Sequence, residues 1–325
     1  MIPMMEELPV SSELSADDTP WRRVVFVFHR LWTLVTARRV LRVMGPLVIL
    51  GSGLLLGWTV WRNRELLLSY PWRVHVWVVP LSLAVYSVDL GLAVCIWGRI
   101  VNRLSGRQLT FRRHFKVYVA TNFSRRLPGA VWYIAGRAAL YEGDGIAKSV
   151  ISLASLVEVI LIALSSIVCY FLAWPFGGSA WGGWPLLLVG LVAGLVLIHP
   201  RVVGALLRRL GQPEVPQLHY RDMLTWLLLY VLVWAVGGVT LYSVVAGLHP
   251  LPLSGLPHIV RAWSLSGAAA VIVFFSPSGL GIKEVTLTLL LVPVIPVPLA
   301  AIVALLMRLL LTIYELLWAA AALKL

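Results

Sequence analysis

The sequence predicts an all-α integral membrane protein, with about six transmembrane helices plus two re-entrant broken-helix segments forming an inverted repeat. Three observations carry that prediction. Hydrophobic residues make up 60% of the 325 and charged residues only 13%; the mean hydropathy is +0.88. A soluble domain of this size needs far more polar surface. Apolar stretches of about 20 residues, enough to cross a bilayer, recur along the chain. Two further apolar stretches are interrupted by proline, glycine and charge. Backbone broken at membrane depth is tolerated only where protein or a water-filled cavity satisfies its polar groups.

Residues 1–20 are rich in Glu, Asp, Ser and Pro and lack the apolar core of a signal peptide, which predicts a disordered cytoplasmic tail. In residues 21–42, Trp21, Val24, Phe28, Leu31 and Val35 follow a helical period among Arg22, Arg23, Arg30, Arg38, Arg39 and Arg42. That pattern predicts a basic interfacial amphipathic helix, with a cytoplasmic extension of the first span as the alternative. Residues 43–325 form a polytopic membrane domain. Its spans are predicted at 43–61, 74–98, 146–174, a short stretch ending near Ile198, 223–247 and 299–323. Gly53 with Gly57, and Gly190 with Gly194, make small-xxx-small pairs suited to close helix packing.

The broken segments are residues 117–139, interrupted by Thr-Asn-Phe-Ser-Arg-Arg-Leu-Pro-Gly, and residues 259–292, interrupted by Ser-Pro-Ser-Gly-Leu-Gly-Ile-Lys-Glu. Loop charge sets their topology. A basic loop with Arg99, Arg103, Arg107, Arg112, Arg113 and Lys116 follows the second span, and another with Arg201, Arg208, Arg209 and Arg221 follows the fourth. Both belong inside, with the basic N-terminal segment. A full crossing by 117–139 would put the second basic loop outside. Entry and exit on one face keeps it inside, so the segment is predicted to be re-entrant. The same parity lets 259–292 re-enter from the opposite face. Each break is followed by a short apolar helix and then a span with an acid, Pro128 before Glu158 and Pro277 before Glu315. Interrupted helices at matching positions in two halves point to a midplane substrate site.

Lys plus Arg number 27 against 14 acids, a net charge of +13. The cations lie beside apolar spans, which favours anionic lipid head groups over nucleic acid. Cys95 and Cys169 both fall in apolar runs, and no Cys/His ligand spacing exists, so neither a metal nor a cofactor is predicted. There is no Walker loop, nucleophile elbow or HExxH. His75, His114, His199, His219, His249 and His258 are expected at interfaces or loops.

An ionisable side chain at a helix centre costs about 2.5–3.5 kcal/mol on insertion scales and normally has a partner or a function. The intramembrane set comprises Asp89, Arg125, Arg126, Arg137, Glu158, Arg261, Lys283, Glu284, Arg308 and Glu315. Arg308 and Glu315 share one face of the last span, two turns apart. Mutual neutralisation inside the bundle is one reading of the set. The other uses the breaks. A half-helix starting after Pro277-Ser278-Gly279 presents free N–H groups and a positive dipole end, with Gly279 and Gly281 allowing close approach and Lys283 adding charge. Asn122, Arg125, Arg126 and Gly129 offer the same equipment in the other segment. Both would suit a phosphate.

The motif from Asn122 to Arg137 (NFSRRLPGAVWYIAGR), then Glu158, then Pro277 to Glu284 (PSGLGIKE), resembles the lysylphosphatidylglycerol synthase transmembrane-region family. These flippase-like membrane proteins are also labelled dolichol-phosphate-glucose-synthetase-like. The likeness runs over roughly residues 40–325. The soluble aminoacyltransferase that aminoacyl-lipid members carry has no counterpart in this sequence, so the resemblance implies lipid or lipid-linked-glycan handling, not lysyl transfer. Trp132-Tyr133 stands where some relatives carry Gly-Glu or a similar acid.

Taken together, the expected function is translocation of a phospholipid or polyprenyl-phosphate-linked glycan between leaflets of the inner (plasma) membrane, with the N-terminus cytoplasmic. Arg125, Arg126, Arg137 and Lys283 would bind the anion, while Glu158, Glu284 and Glu315 balance charge or couple protons. The alternatives are a membrane glycosyl- or phosphotransferase, for which Glu142 and Asp144 are the one suitably placed acidic cluster, and a non-transporting accessory subunit. Expected partners are the anionic lipid, the membrane, and either further copies in a homo-oligomer or a separate lipid-modifying enzyme.

Overall fold

The computed structural model describes residues 54, 58, 61–62, 64–69, 75–122, 131–174, 184–209, 218–272 and 282–324. The expected tail and interfacial helix lie outside these residues, as does most of the first span. Apart from a single 3-10 turn at Leu253–Gly255, every element among them is an α-helix: α1 (Arg64–Ser69), α2 (Val78–Ser105), α3 (Phe111–Asn122), α4 (Val131–Glu142), α5 (Lys148–Ala173), α6 (Trp184–Leu197), α7 (Pro200–Arg209), α8 (Tyr220–Ala246), α9 (Leu256–Ile272), α10 (Ile282–Leu291) and α11 (Val297–Leu323).

Four of these helices, α2, α5, α8 and α11, are long and apolar enough to cross a membrane. A fifth crossing results if the pair Pro185–Leu197 and Pro200–Leu206, bent by 58°, counts as one. The described residues therefore carry four or five of the six predicted spans. The bend follows from Pro200: without an N–H it cannot extend α6, but it is pre-organised to open a new helix. The stretch holding Arg201, Arg208 and Arg209, expected as a loop, is thus helical, with Val203 buried and the three arginines exposed.

The first basic loop is corrected in the same way. Arg99 and Arg103 belong to the last turns of α2, while Arg112, Arg113 and Lys116 sit on α3, leaving Arg107 in the connection. Loop charge reports which side of the membrane a stretch faces, not whether its backbone is helical. Nothing breaks α2 until Gly106, whose φ of 68° is the left-handed conformation that closes a helix. Arg221 likewise opens α8.

α8 packs against α2, α5 and α9; α5 also packs against α9, α4 and α6. Two links show that α2 and α8 run antiparallel. Arg103 Nε donates to Asp222 Oδ2 at 3.2 Å at one end, and His75 N donates to Gly247 O at 3.1 Å at the other. Close approach depends on small residues. A Cβ at Gly267 would lie 1.9 Å from Trp234 Cη2, so the bare backbone lets the indole lie on α9. There its N–H donates to Ile162 O at 3.0 Å and to Ser165 Oγ at 3.1 Å. Gly194 does the same between α6 and α5, where a Cβ would meet Leu164 Cδ2 at 2.2 Å.

Of the two predicted interruptions, Thr121 and Asn122 end α3, and Ile282, Lys283 and Glu284 open α10; the remainder of both lies outside the described residues. α3 packs against α4, and α9 against α10. In each case the second helix also packs on the long helix that follows it, α4 on α5 and α10 on α11.

Candidate functional site

The centre of the site is Arg137. Its position halfway along the short helix α4 turns it into the bundle, where its side chain is wholly buried. A guanidinium in that setting needs every available partner. Nη1 donates to Glu158 Oε2 on α5, and Nε donates to Thr121 Oγ1 on α3 at 3.3 Å. Nη2 has no hydrogen-bond partner among the described residues, and three aromatic rings lie against the group. Its Cζ lies 4.0 Å from the ring centroid of Trp97, 4.5 Å from that of Tyr118 and 5.2 Å from that of Tyr133. Ring quadrupoles attract a desolvated cation over their faces. Glu158, equally buried, accepts a second hydrogen bond from Tyr230 Oη on α8 at 3.3 Å.

A polar relay backs this box. Trp97 Nε1 donates to Tyr141 Oη at 2.9 Å, and Tyr141 Oη lies 2.7 Å from His114 Nδ1. His114 Nε2 lies 3.0 Å from Asn102 Oδ1, which also accepts from Leu109 N at 3.1 Å. The carbonyl oxygen of Asn102 can only accept, which places the imidazole proton on Nε2; Nδ1 then accepts from Tyr141. His114 was expected at an interface. It is instead 2% exposed, held against α2 because Gly98 leaves room for its ring.

The second broken segment has a parallel arrangement. Glu284, in the first turn of α10, accepts from Arg308 Nη1 on α11. Beside it, Lys283 Nζ lies 3.6 Å from the ring centroid of Trp263 on α9. Two residues before Trp263, Arg261 is buried, with its guanidinium 5.2 Å from the Tyr170 ring.

In both segments, then, the short helix after the break is tied to the following long helix by an ion pair, and the polarity is reversed: Arg137 to Glu158, then Glu284 to Arg308. The sequence correspondence drawn between Glu158 and Glu315 is replaced by one between Glu158 and Arg308. Of the other expected site residues, Asn122 ends α3 and Glu315 sits half-buried on α11. Arg125, Arg126, Gly129, Gly279 and Gly281 lie outside the described residues. No local pattern marks Trp97, Tyr118, Tyr133, Tyr230 or Trp263, because aromatic residues in apolar runs read simply as lipid-facing or core.

Glu142 and Asp144, the acids of the transferase alternative, are taken by Lys148 at 2.9 Å and Arg113 at 2.8 Å in the turn after α4. Among the described residues no group of three or more His, Cys, Asp or Glu is arranged to hold a metal. No family model matches the sequence, and no curated protein matches it. The family resemblance rests on the two motifs and their order.

Proposed function

We propose that the chain is a flippase-like protein of the plasma membrane that holds an anionic lipid head group between its two broken segments and passes it between leaflets. The observation that supports this most is the pair of oppositely polarised ion pairs, Arg137–Glu158 and Glu284–Arg308. Each anchors the helix that follows one of the predicted interruptions, α4 and α10. The packing of α3 on α4 and of α9 on α10 suits two re-entrant hairpins entering from opposite faces, the halves of an inverted repeat. Arg137 and Arg308 serve here as positioning residues, their charge already spent on carboxylates. Head-group binding falls to Lys283, Arg125 and Arg126. No ATP-binding motif accompanies the site, so directionality must come from a gradient or from removal of product.

The test is mass spectrometry of lipids kept by gently purified protein. Phosphate-bearing anionic lipid or polyprenyl phosphate retained by the wild type and lost in Lys283→Gln is the expected result. Retention independent of Lys283, or of neutral lipid only, overturns the head-group assignment. The transferase alternative requires a modified lipid to appear when a sugar or phosphate donor is added to the same preparation. The ion pairs already held by Glu142 and Asp144 weigh against it.

A further inference from the structure

His114 belongs to neither ion pair, yet both of its ring nitrogens are engaged inside the bundle. The chain that runs through it joins three helices: Trp97 and Asn102 on α2, His114 on α3 and Tyr141 on α4. The direction of every proton in the chain follows from its two ends. An indole nitrogen can only donate, so Tyr141 Oη accepts from Trp97 and gives its own proton to His114 Nδ1. At the other end Asn102 Oδ1 can only accept, from His114 Nε2 at 3.0 Å and from Leu109 N at 3.1 Å, while Asn102 Nδ2 donates to Leu109 O at 3.3 Å. Because its inner end is an indole N–H, the chain holds an orientation and carries no proton inward.

The orientation it holds is that of the ring nearest to Arg137. Trp97 and Tyr141 are both wholly buried, so a turn of either side chain would leave the indole N–H or the hydroxyl without a partner and without water. The guanidinium Cζ lies 4.0 Å from the Trp97 centroid. With Nη2 lacking a hydrogen-bond partner among the described residues, the placement of this cation depends more on the ring faces than it would if every N–H were bonded.

We infer that His114 is a positioning residue of the site: its Nδ1 fixes the Tyr141 hydroxyl, Tyr141 fixes the Trp97 ring, and Trp97 sets the angle at which Arg137 meets Glu158. His114 itself touches no head group. Its effect on transport rests on the translocation reading above; its hold on Trp97 does not.

Two amides at position 114 separate an acceptor from mere space filling. The Oδ1 of asparagine and the Nδ1 of histidine are both bonded to Cγ, so His114→Asn keeps an acceptor facing Tyr141. His114→Gln is closer to histidine in size, but its amide sits one carbon further out, at the level of Nε2 and facing Asn102. The indole N–H resonance of Trp97, assigned by its loss in Trp97→Phe, reads the inner bond in detergent without any lipid. It should stay in place in His114→Asn and move in His114→Gln and in Tyr141→Phe. Proteoliposomes with fluorescently tagged phosphatidylglycerol supply the second readout. His114→Asn should move lipid at close to the wild-type rate, whereas His114→Gln and Tyr141→Phe should each be slowed about tenfold, and the two combined no further than either alone. Any other order of the two amides in either readout, equality included, overturns the inference, as does a His114→Asn protein that fails to fold. If His114→Gln alone fails to fold, Tyr141→Phe takes its place in the comparison. If the wild type moves no lipid while the resonance follows the expected order, the transport reading falls and the hold of His114 on Trp97 stands.

Discussion

Arg137 and Glu158 meet where neither side chain has any solvent access, one guanidinium nitrogen donating to one carboxylate oxygen. Such a pair is a poor source of net stability, since desolvating both charges offsets most of their attraction. It is a strong constraint all the same, because neither partner tolerates the loss of the other. Arg137→Met or Glu158→Leu alone is expected to cost about 3–5 kcal/mol, and the two together close to nothing. Denaturant unfolding of the four proteins in one detergent, arranged as a double-mutant cycle, measures this. Single variants within about 0.5 kcal/mol of wild type would contradict the pairing.

The aromatic box makes a separate prediction at the same residue. Arg137→Lys keeps the charge but loses the planar group that stacks on Trp97 and Tyr118 while reaching Glu158. It should behave nearly as badly as Arg137→Met. Full stability in Arg137→Lys, read by the same unfolding curves, would show that charge alone is what the site requires.

Gly98 and Gly91 occupy the same helix and should respond oppositely to alanine. A Cβ on Gly98 would sit 2.8 Å from His114 Cδ2, whereas nothing lies within 4 Å of one on Gly91. Gly98→Ala should cost about 1–3 kcal/mol by displacing the His114 ring. Gly91→Ala should be neutral or gain up to about 1 kcal/mol from helix propensity. Thermal melts in detergent settle the order, and equal effects would contradict the placement of His114.

Exchange of charge should be tolerated better at the second pair. The Arg308 side chain keeps 27% of its exposure while Glu284 keeps 6%. Glu284→Arg or Arg308→Glu alone sets like charges together and should lower the yield of folded protein. Glu284→Arg/Arg308→Glu should restore much of it. Size-exclusion chromatography of the detergent extract is the readout, and a double variant no better than the singles would count against the contact.

The antiparallel arrangement of α2 and α8 predicts sidedness. In a background lacking Cys95 and Cys169, Arg107→Cys and Arg208→Cys should react with an impermeant maleimide from one side of the membrane. Leu253→Cys should react from the other. Labelling of Leu253→Cys from the same side as Arg107→Cys would overturn the topology.

The long helices were legible because hydropathy is a local property. Residues 146–174 were expected to span and α5 covers Lys148–Ala173; 223–247 were expected and α8 covers Tyr220–Ala246. The two predicted breaks, at Pro128 and Pro277, lie outside the described residues, which show only the helices before and after them. Partner choice was not legible. Glu158 finds Arg137 on the preceding short helix and Tyr230 on a helix far along the chain, and only packing decides this. His114 shows the same limit: its basic neighbours Arg112, Arg113 and Lys116 read as an interface, but its own register on α3 turns it toward Gly98. The stretch after Ile198 failed for a different reason. Its arginines were read as loop because of their charge, although Pro200 is a good residue to start a helix.

The central claim is that this bundle moves an anionic lipid with Lys283 at the binding site and Glu158 holding that site's other half in shape. Its most direct measurement is translocation of fluorescently tagged phosphatidylglycerol in proteoliposomes, read by how much of the label an impermeant quencher can reach over time. The account predicts that the wild type brings nearly all of the label within reach, while stably inserted Lys283→Ala and Glu158→Ala leave close to half of it protected, as protein-free vesicles do. Variants that expose the label as fast as wild type would contradict it.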